Sequence, residues 1–139
     1  MAHEKFPVEV LTPEGTVFDD EVEMVSTRTG AGSIGILAGH EPVLAMLEPT
    51  ELRLYRSESE IERFAQAEGY LQVADGRALL LVEEAHTPDQ LDAAQLRERL
   101  QEAEQALESA EEDSERQRMA TADKRRWEAF LAMAEGGSS

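Results

Sequence analysis

Between Phe6 and Val82 the apolar residues recur at short spacing and are interrupted every several positions by Gly, Pro or charged pairs. That rhythm belongs to short strands joined by tight turns. In FPVEVL the residues Phe6, Val8 and Val10 fall on one face of a strand, and Pro13-Glu14-Gly15 supplies turn chemistry before GTVF resumes. Val22 and Met24 alternate with acids, Leu52 and Leu54 with Arg53 and Tyr55, and Leu71 and Val73 with Gln72. Asp75-Gly76 ahead of RALLLVEE is a type I′ hairpin signature. About eight or nine strands can be counted this way, with no helical stretch between them, which predicts an antiparallel sandwich or barrel.

At Thr87 the period changes. Thr87, Pro88 and Gln90 hold N-cap, first-turn proline and capping-box positions, so a helix is predicted to start there. Beyond it Leu96, Leu100, Ala103, Leu107 and Ala110 form a heptad-like seam on a very acidic helix. A second helix is read from Ser114, an N-cap with Gln117 three residues on; its apolar face is Trp127, Phe130, Leu131 and Ala134, and EGGSS ends it. The expected plan is a strand domain over residues 1–86 and an antiparallel helical hairpin over 87–139. The junction Glu111-Glu112-Asp113-Ser114 contains neither Gly nor Pro, so nothing local forbids one continuous helix. It reads as a bistable element, the alternative being a permanently folded hairpin.

Composition narrows the function. The chain has 139 residues and is 41% hydrophobic and 31% charged, enough for one modest core plus an appendage. Thirteen basic against thirty acidic side chains leave a formal charge of -17, which repels phosphate backbones and anionic headgroups and argues against nucleic-acid binding. With no cysteine there is no disulfide, thiolate nucleophile or Cys-type zinc site, in keeping with a cytoplasmic setting. The segment MAHEKFPVEV lacks a basic stretch followed by an apolar run, and no segment approaches the roughly 20 apolar residues needed to cross a bilayer. Any membrane contact is therefore expected through a protein partner rather than by insertion.

Chemistry-bearing motifs are few. TGAGSIGILAGH, residues 29–40, lacks a Walker Lys-Ser/Thr ending and a following helix, so it reads as a loop and strand needing close backbone approach rather than a phosphate cradle. His3, His40 and His86 are scattered without metal-ligand spacing, and His3 and His86 read as solvent or core histidines. No carboxylate pair is singled out by apolar surroundings, which leaves a small hydrolase without support. Charge is unevenly spread: residues 114–134 hold five basic side chains, Arg116, Arg118, Lys124, Arg125 and Arg126, against three acidic ones. Such a helix suits an acidic partner surface or, equally, neutralisation of the acidic helix before it.

The chain resembles the bacterial epsilon subunits of F-type ATP synthases, the equivalent of the mitochondrial delta subunit. VEVLTPEGTVFDDEVEMVSTRTGAGSIGILAGHEPVLAML, residues 8–47, looks like that family's N-terminal signature, with its TPEG turn, GxxGIL segment and GH-x-P-x-L continuation. ELRLYR and EGYLQVADGRALLLVEEA resemble the remainder of its sandwich, and the acidic and basic helices extend the likeness over nearly the whole length.

The resemblance implies a ten-stranded sandwich with a two-helix C-terminal domain, a non-catalytic rotor subunit joining the gamma shaft to the c-subunit ring. It implies no cofactor and a peripheral position on the cytoplasmic face of the bacterial inner membrane. By the same analogy Arg28, Thr29, Gly30, Ala31, Gly32, Ser33 and Ile34, with His40, Glu41, Pro42, Val43 and Leu44, face the polar loops of the ring. The glycines then keep side-chain bulk away from a flat interface. The basic second helix, when raised, meets the alpha/beta catalytic hexamer and blocks hydrolysis through Arg116, Arg118, Lys124, Arg125 and Arg126. Some relatives bind ATP through Ile or Leu, Asp, two arbitrary residues, Arg and Ala. Here the segment is Leu91-Asp92-Ala93-Ala94-Gln95-Leu96, so Asp92 is a remnant without its phosphate-gripping Arg, and nucleotide binding is not expected. The competing reading is a non-catalytic adaptor module whose coiled-coil hairpin makes a scaffold contact.

Overall fold

The computed structural model describes residues 3–136, so Met1, Ala2 and the last three residues of the EGGSS stop lie outside the described residues. Ten strands come first: β1 (Phe6–Thr12), β2 (Gly15–Val22), β3 (Met24–Thr29), β4 (Gly32–Leu37), β5 (Val43–Leu47), β6 (Thr50–Tyr55), β7 (Ile61–Gln66), β8 (Gly69–Ala74), β9 (Arg77–Val82) and β10 (Ala85–His86). A single 3₁₀ turn, Pro88–Gln90, then leads to α1 (Ala93–Ser109) and α2 (Glu115–Ala134).

The strands run in the order β10-β7-β6-β3-β5-β8-β9-β1-β2, with β4 added to β3. Between β3 and β5 the register contains one pair, Thr29 opposite Leu47, so the sheet divides there into two five-stranded layers. Both layers send alternate side chains into one core. Val25, Ile36, Leu52, Leu54 and Phe64 come from one side, and Val8, Val10, Val22, Leu71 and Leu80 from the other, all buried. This is the sandwich that the alternation predicts.

Three details depart from the sequence reading. First, β1 pairs with β9 in parallel, Val8 opposite Ala78 through Leu11 opposite Leu81, while the other pairings are antiparallel. Second, Val22 and Met24 do not share a strand. The chain changes layer at Glu23, whose N–H donates to the Tyr55 carbonyl at 2.7 Å and whose carboxylate accepts from the His3 N–H at 3.2 Å. Third, the Thr87 signature starts only the 3₁₀ turn. The Gln90 side chain accepts from the Thr87 N–H at 2.8 Å, but Leu91 and Asp92 are extended, and α1 begins at Ala93 with Asp92 as its N-cap.

The hairpin signatures hold. Asp75 and Gly76 both take positive φ, 52° and 74°, as a type I′ turn between β8 and β9 requires. Gly69 supports the same hairpin differently, because a Cβ there would stand 1.9 Å from the Leu81 carbonyl oxygen. Only glycine permits that approach.

The helices form an antiparallel pair. Leu96 and Ala103 of the α1 seam are buried, with Leu100, Leu107 and Ala110 half-buried, and on α2 Phe130 is buried as expected, joined by Ala120 and Met133. At the junction α1 ends on Ala110 and α2 starts from Ser114, whose hydroxyl accepts from the Gln117 N–H. The reversal passes through Asp113 at φ 60°, a left-handed conformation in a residue with a side chain.

Candidate interaction sites

The helical pair is fastened to the sandwich by a small contact. Its apolar part joins Ala65 and Ala67 of the sandwich to Leu96, Phe130 and Met133 of the helices, with Trp127 and Leu131 packed around them. The buried apolar residues on the sandwich side are the two alanines, with the His86 ring packed against Phe130 beside them, a small apolar area for a permanent domain interface. A charged clamp completes it. Arg126 on α2 donates from Nε and Nη2 to Glu68 Oε1 at 3.0 and 2.8 Å, and from Nη1 to Glu84 Oε2 at 2.7 Å. Glu68 lies in the turn between β7 and β8, and Glu84 precedes β10, so one guanidinium holds two turns of the sandwich.

Burial works against the Arg126 cation, but hydrogen bonding to Glu68 and the fields of Glu68, Glu84 and Asp123 outweigh it and keep its pKa above the ordinary arginine value. Trp127 sits between two guanidinium groups, with Arg99 of α1 5.1 Å and Arg126 5.6 Å from its ring centre. His86 packs in a T-shaped arrangement with Phe130, ring centres 5.8 Å apart, and bonds Glu84 at 2.8 Å, which makes this histidine part of the clamp rather than a solvent or core residue.

The five basic residues of α2 therefore divide. Arg125 reaches Glu48 of the sandwich at 3.8 Å and Arg126 forms the clamp, while Arg118 donates to the Asp113 carbonyl near the exposed helix start beside Arg116. Lys124 is half-buried. Neutralisation of α1 by α2, one of the two readings of that charge pattern, does not take the form of ion pairs from α2 cations to α1 acids among the described ones. The described ion pair between the helices runs the other way, from Arg97 of α1 to Glu135 after α2. Glu68 and Glu84 were missed in the sequence because they are two among thirty acids; only the fold brings them under Arg126.

The residues of 28–34 and 40–44 meet at one end only, where the Gly30 N–H donates at 3.3 Å to the carbonyl of Met46, two residues beyond Leu44 on the same strand. Gly30 and Ala31 form the tip of the β3–β4 hairpin, whereas His40 follows the far end of β4, where its N–H donates to the Leu37 carbonyl at 3.1 Å. The six residues of β4 separate the two by roughly 17 Å. At the tip Thr29 is buried, donating to the Gly32 carbonyl and accepting from the Ala31 N–H, and Ile34 packs against the core, so Arg28, Gly30, Ala31 and Ser33 are the exposed members. The glycines there answer to no close approach within the chain, because a Cβ at Gly30 would meet nothing nearer than 3.9 Å and one at Gly32 nothing within 4 Å, although Gly32 holds φ 123°, which favours glycine. In the second segment Glu41, Pro42 and Leu44 are exposed, Val43 is half-buried, and His40 Nδ1 bonds the Glu41 carbonyl.

Leu44 belongs to a different surface. On the outward side of β5, β8 and β9, Met46 lies opposite Tyr70 and Tyr70 opposite Leu81, while Leu44 is opposite Gln72. These side chains are 74% (Leu44), 67% (Met46), 52% (Tyr70) and 45% (Leu81) exposed. A contiguous apolar stripe of this kind marks an interaction face. α2 packs near β6 and β7, in the other layer. The signal in the sequence was ALLLV, where strand alternation fails and both faces are apolar.

The outward side of the other layer behaves differently. Glu51, with 1% of its side chain exposed, is held by Arg53 at 2.8 Å and by Arg63. That surface satisfies its own charges.

Beside the clamp a cavity of about 280 Å³ is lined by Glu84, Gln90, Asp92, Gln95, Arg99 and Trp127 among others. Asp92 is engaged as the cap of α1, accepting from the Gln95 N–H at 3.2 Å. Two carboxylates on the wall and a glutamine in place of an arginine make it a poor receptor for phosphate. Among the described residues no three His, Cys, Asp or Glu side chains converge as a metal site requires.

Residues 5–88 match the model of the ATP synthase Delta/Epsilon chain beta-sandwich domain. The ATP synthase epsilon chain of Priestia megaterium is 40% identical over 106 residues, 76% of this chain and 78% of that protein. That of Bacillus subtilis is 32% identical over 108 residues, 78% and 81% of the two chains. Among solved structures, a chain of the Euglena gracilis mitochondrial ATP synthase, determined with OSCP, F1 and the c-ring, aligns at a TM-score of 0.80 and 21% identity over 95% of this chain and 82% of that one. A chain of the Tetrahymena thermophila central stalk and c-ring gives a TM-score of 0.60 and 16% identity over 96% and 99%. The two structural likenesses bear on the fold, and they extend beyond the sandwich model to include the helices.

Proposed function

This chain belongs to the ATP synthase delta/epsilon chain family, and from that membership we propose that it works as a non-catalytic subunit of the central stalk in a bacterial F-type ATP synthase. The observation that carries this reading is the apolar stripe of Leu44, Met46, Tyr70 and Leu81, which the docked helices leave uncovered. A rotor subunit must be gripped by its shaft, and desolvating such a stripe supplies the grip.

The gamma subunit is assigned to the stripe, with His40, Glu41, Pro42 and Val43 at its margin. The tip at Arg28, Gly30, Ala31 and Ser33, which adjoins that stripe where the Gly30 N–H donates to the Met46 carbonyl at 3.3 Å, is assigned to the polar loops of the c-subunit ring. No described helix is long and apolar enough to cross a membrane. The position proposed is peripheral, at the cytoplasmic face of the inner membrane.

The helical pair supplies regulation in this reading. Its slight contact with the sandwich and its ionic clamp suit a domain that detaches and rises toward the alpha/beta hexamer, where Arg116, Arg118, Lys124, Arg125 and Arg126 meet acidic partners and restrain hydrolysis.

Two measurements test the whole. Met46→Lys combined with Tyr70→Lys is expected to abolish copurification with gamma while leaving the thermal midpoint of the free chain nearly unchanged, because both residues are more than half exposed. Retained copurification removes the reading. Deleting residues 114–139 is expected to raise ATP hydrolysis by the assembled complex, and unchanged hydrolysis removes the inhibitory part.

A further inference from the structure

Free sheet edges invite pairing with other chains, and proteins blunt them with charge, proline or brevity. β10 has only two residues, and β2 carries Asp19, Asp20 and Glu21. β4 has no such guard. Its sequence GSIGIL is six residues long, uncharged and free of proline, and its ladder runs along β3 alone.

The backbone groups of that edge can be placed. Leu37 directs its carbonyl away from β3, since it accepts from the His40 N–H at 3.1 Å. Antiparallel ladders alternate, so Ser33 and Gly35 turn their N–H and C=O groups to the same open side. Near that side Ile34 of β4, Ala38 just after it and Val43 at the start of β5 pack against the core yet stay half-buried.

Charge singles out the same region. Residues 24–47 contain two charged side chains, Arg28 and Glu41, which cancel, so the rest of the chain carries the whole -17. An approaching neutral segment meets no repulsion here. A second copy of the chain would bring an equal negative body with it and is disfavoured.

We propose that the open edge of β4 is a strand-acceptor site that takes an extended, uncharged segment of the gamma subunit, lengthening the β10-β7-β6-β3-β4 layer by one strand. Alternate apolar side chains of that segment cover the half-buried Ile34, Ala38 and Val43, and its backbone pairs with Ser33, with Gly35 and with the N–H of Leu37, whose carbonyl stays on His40. The proposal rests on the reading that gamma is the neighbour of the apolar stripe, and adds to it a main-chain contact that a face-to-face association lacks.

Amide hydrogen exchange on the full chain, with and without the gamma subunit of its own complex, tests this without any substitution. The amides of Ser33, Gly35 and Leu37 are expected to slow by about tenfold or more on complex formation. A complex that protects Met46 and Tyr70 while leaving the three edge amides unchanged overturns the inference and leaves the stalk reading intact. Absence of any complex overturns both. Slowing in the isolated chain that rises with concentration alongside a dimer mass assigns the edge to a second copy and overturns the proposal. As a second arm, Gly35→Pro is expected to weaken gamma binding by about tenfold and Gly35→Ala to leave it unchanged, because a Cβ there meets only Met24 Sδ at 3.9 Å. Equal affinities for the two variants count against it.

Discussion

Arg126 and Glu68 stand 58 positions apart in sequence and meet through two hydrogen bonds on one carboxylate oxygen. With 17% of its side chain exposed, Arg126 is the most enclosed cation of the described ion pairs. Its partners come from two different turns, so it senses whether the helical pair is seated: when α2 lifts, all three bonds break together.

Replacing Arg126 by Met keeps the aliphatic bulk and leaves Glu68 and Glu84 without their cation. The docked arrangement is expected to lose about 1–2 kcal/mol, less than a fully buried pair would, because both glutamates keep about a third of their surface in water. Fluorescence transfer between a donor on the sandwich and an acceptor on α2 should report greater separation in the variant. The parent should shift the same way between low and high salt, and the variant less. A variant with unaltered transfer would show that the alanine and phenylalanine contact alone holds the pair.

Gly69→Ala is expected to destabilise the sandwich by about 2–3 kcal/mol or more, since the added methyl collides with the Leu81 backbone and the β8–β9 hairpin has to open to admit it. Urea denaturation followed by far-ultraviolet circular dichroism measures it. Gly35→Ala is the control and should be close to neutral. Equal midpoints for the two variants would contradict the register assigned to β8 and β9.

The strand layer was legible because period-2 alternation is enforced by a buried face: Phe6, Val8 and Val10 point into the core where their spacing puts them. Turn chemistry was equally readable at Asp75-Gly76. What the sequence hid has two physical causes. Parallel pairing of β1 with β9 joins segments some 70 residues apart, and no local pattern encodes a partner at that distance. The Thr87 capping box is a local signal that the chain answers with one 3₁₀ turn, and Asp92, five residues on, caps the helix that follows. The interaction stripe was half-visible. ALLLV shows that both faces of β9 are apolar, but the alignment of Met46, Tyr70 and Leu81 across three strands exists only in the register.

Nucleotide is expected to bind weakly or not at all. The cavity beside the clamp offers Arg99, already stacked on Trp127, against the carboxylates of Glu84 and Asp92. Isothermal titration with magnesium ATP should give no saturable heat in the micromolar range, and the thermal midpoint should not move. Low-micromolar affinity would show that Arg99 or Arg126 abandons its present partner for phosphate.

The turn between the helices offers the sharpest test of two states. Asp113 holds φ 60°, which a side-chain-bearing residue adopts at a cost and glycine adopts freely, while a continuous helix puts the same position at negative φ. Asp113→Gly thus relieves strain in the folded pair and penalises the continuous helix, where glycine costs about 1 kcal/mol relative to alanine. Asp113→Ala does the reverse, removing the short polar side chain that tolerates the left-handed conformation and adding a strong helix former. If the helical pair exchanges between the two forms, the glycine variant should be the more compact and the less inhibitory toward hydrolysis by the assembled complex. The alanine variant should show greater donor-acceptor separation and stronger inhibition. Because the two substitutions act on the same residue in opposite directions, a common loss of stability cannot mimic the pattern. Identical transfer and identical hydrolysis in both would establish a helical pair fixed in its folded form.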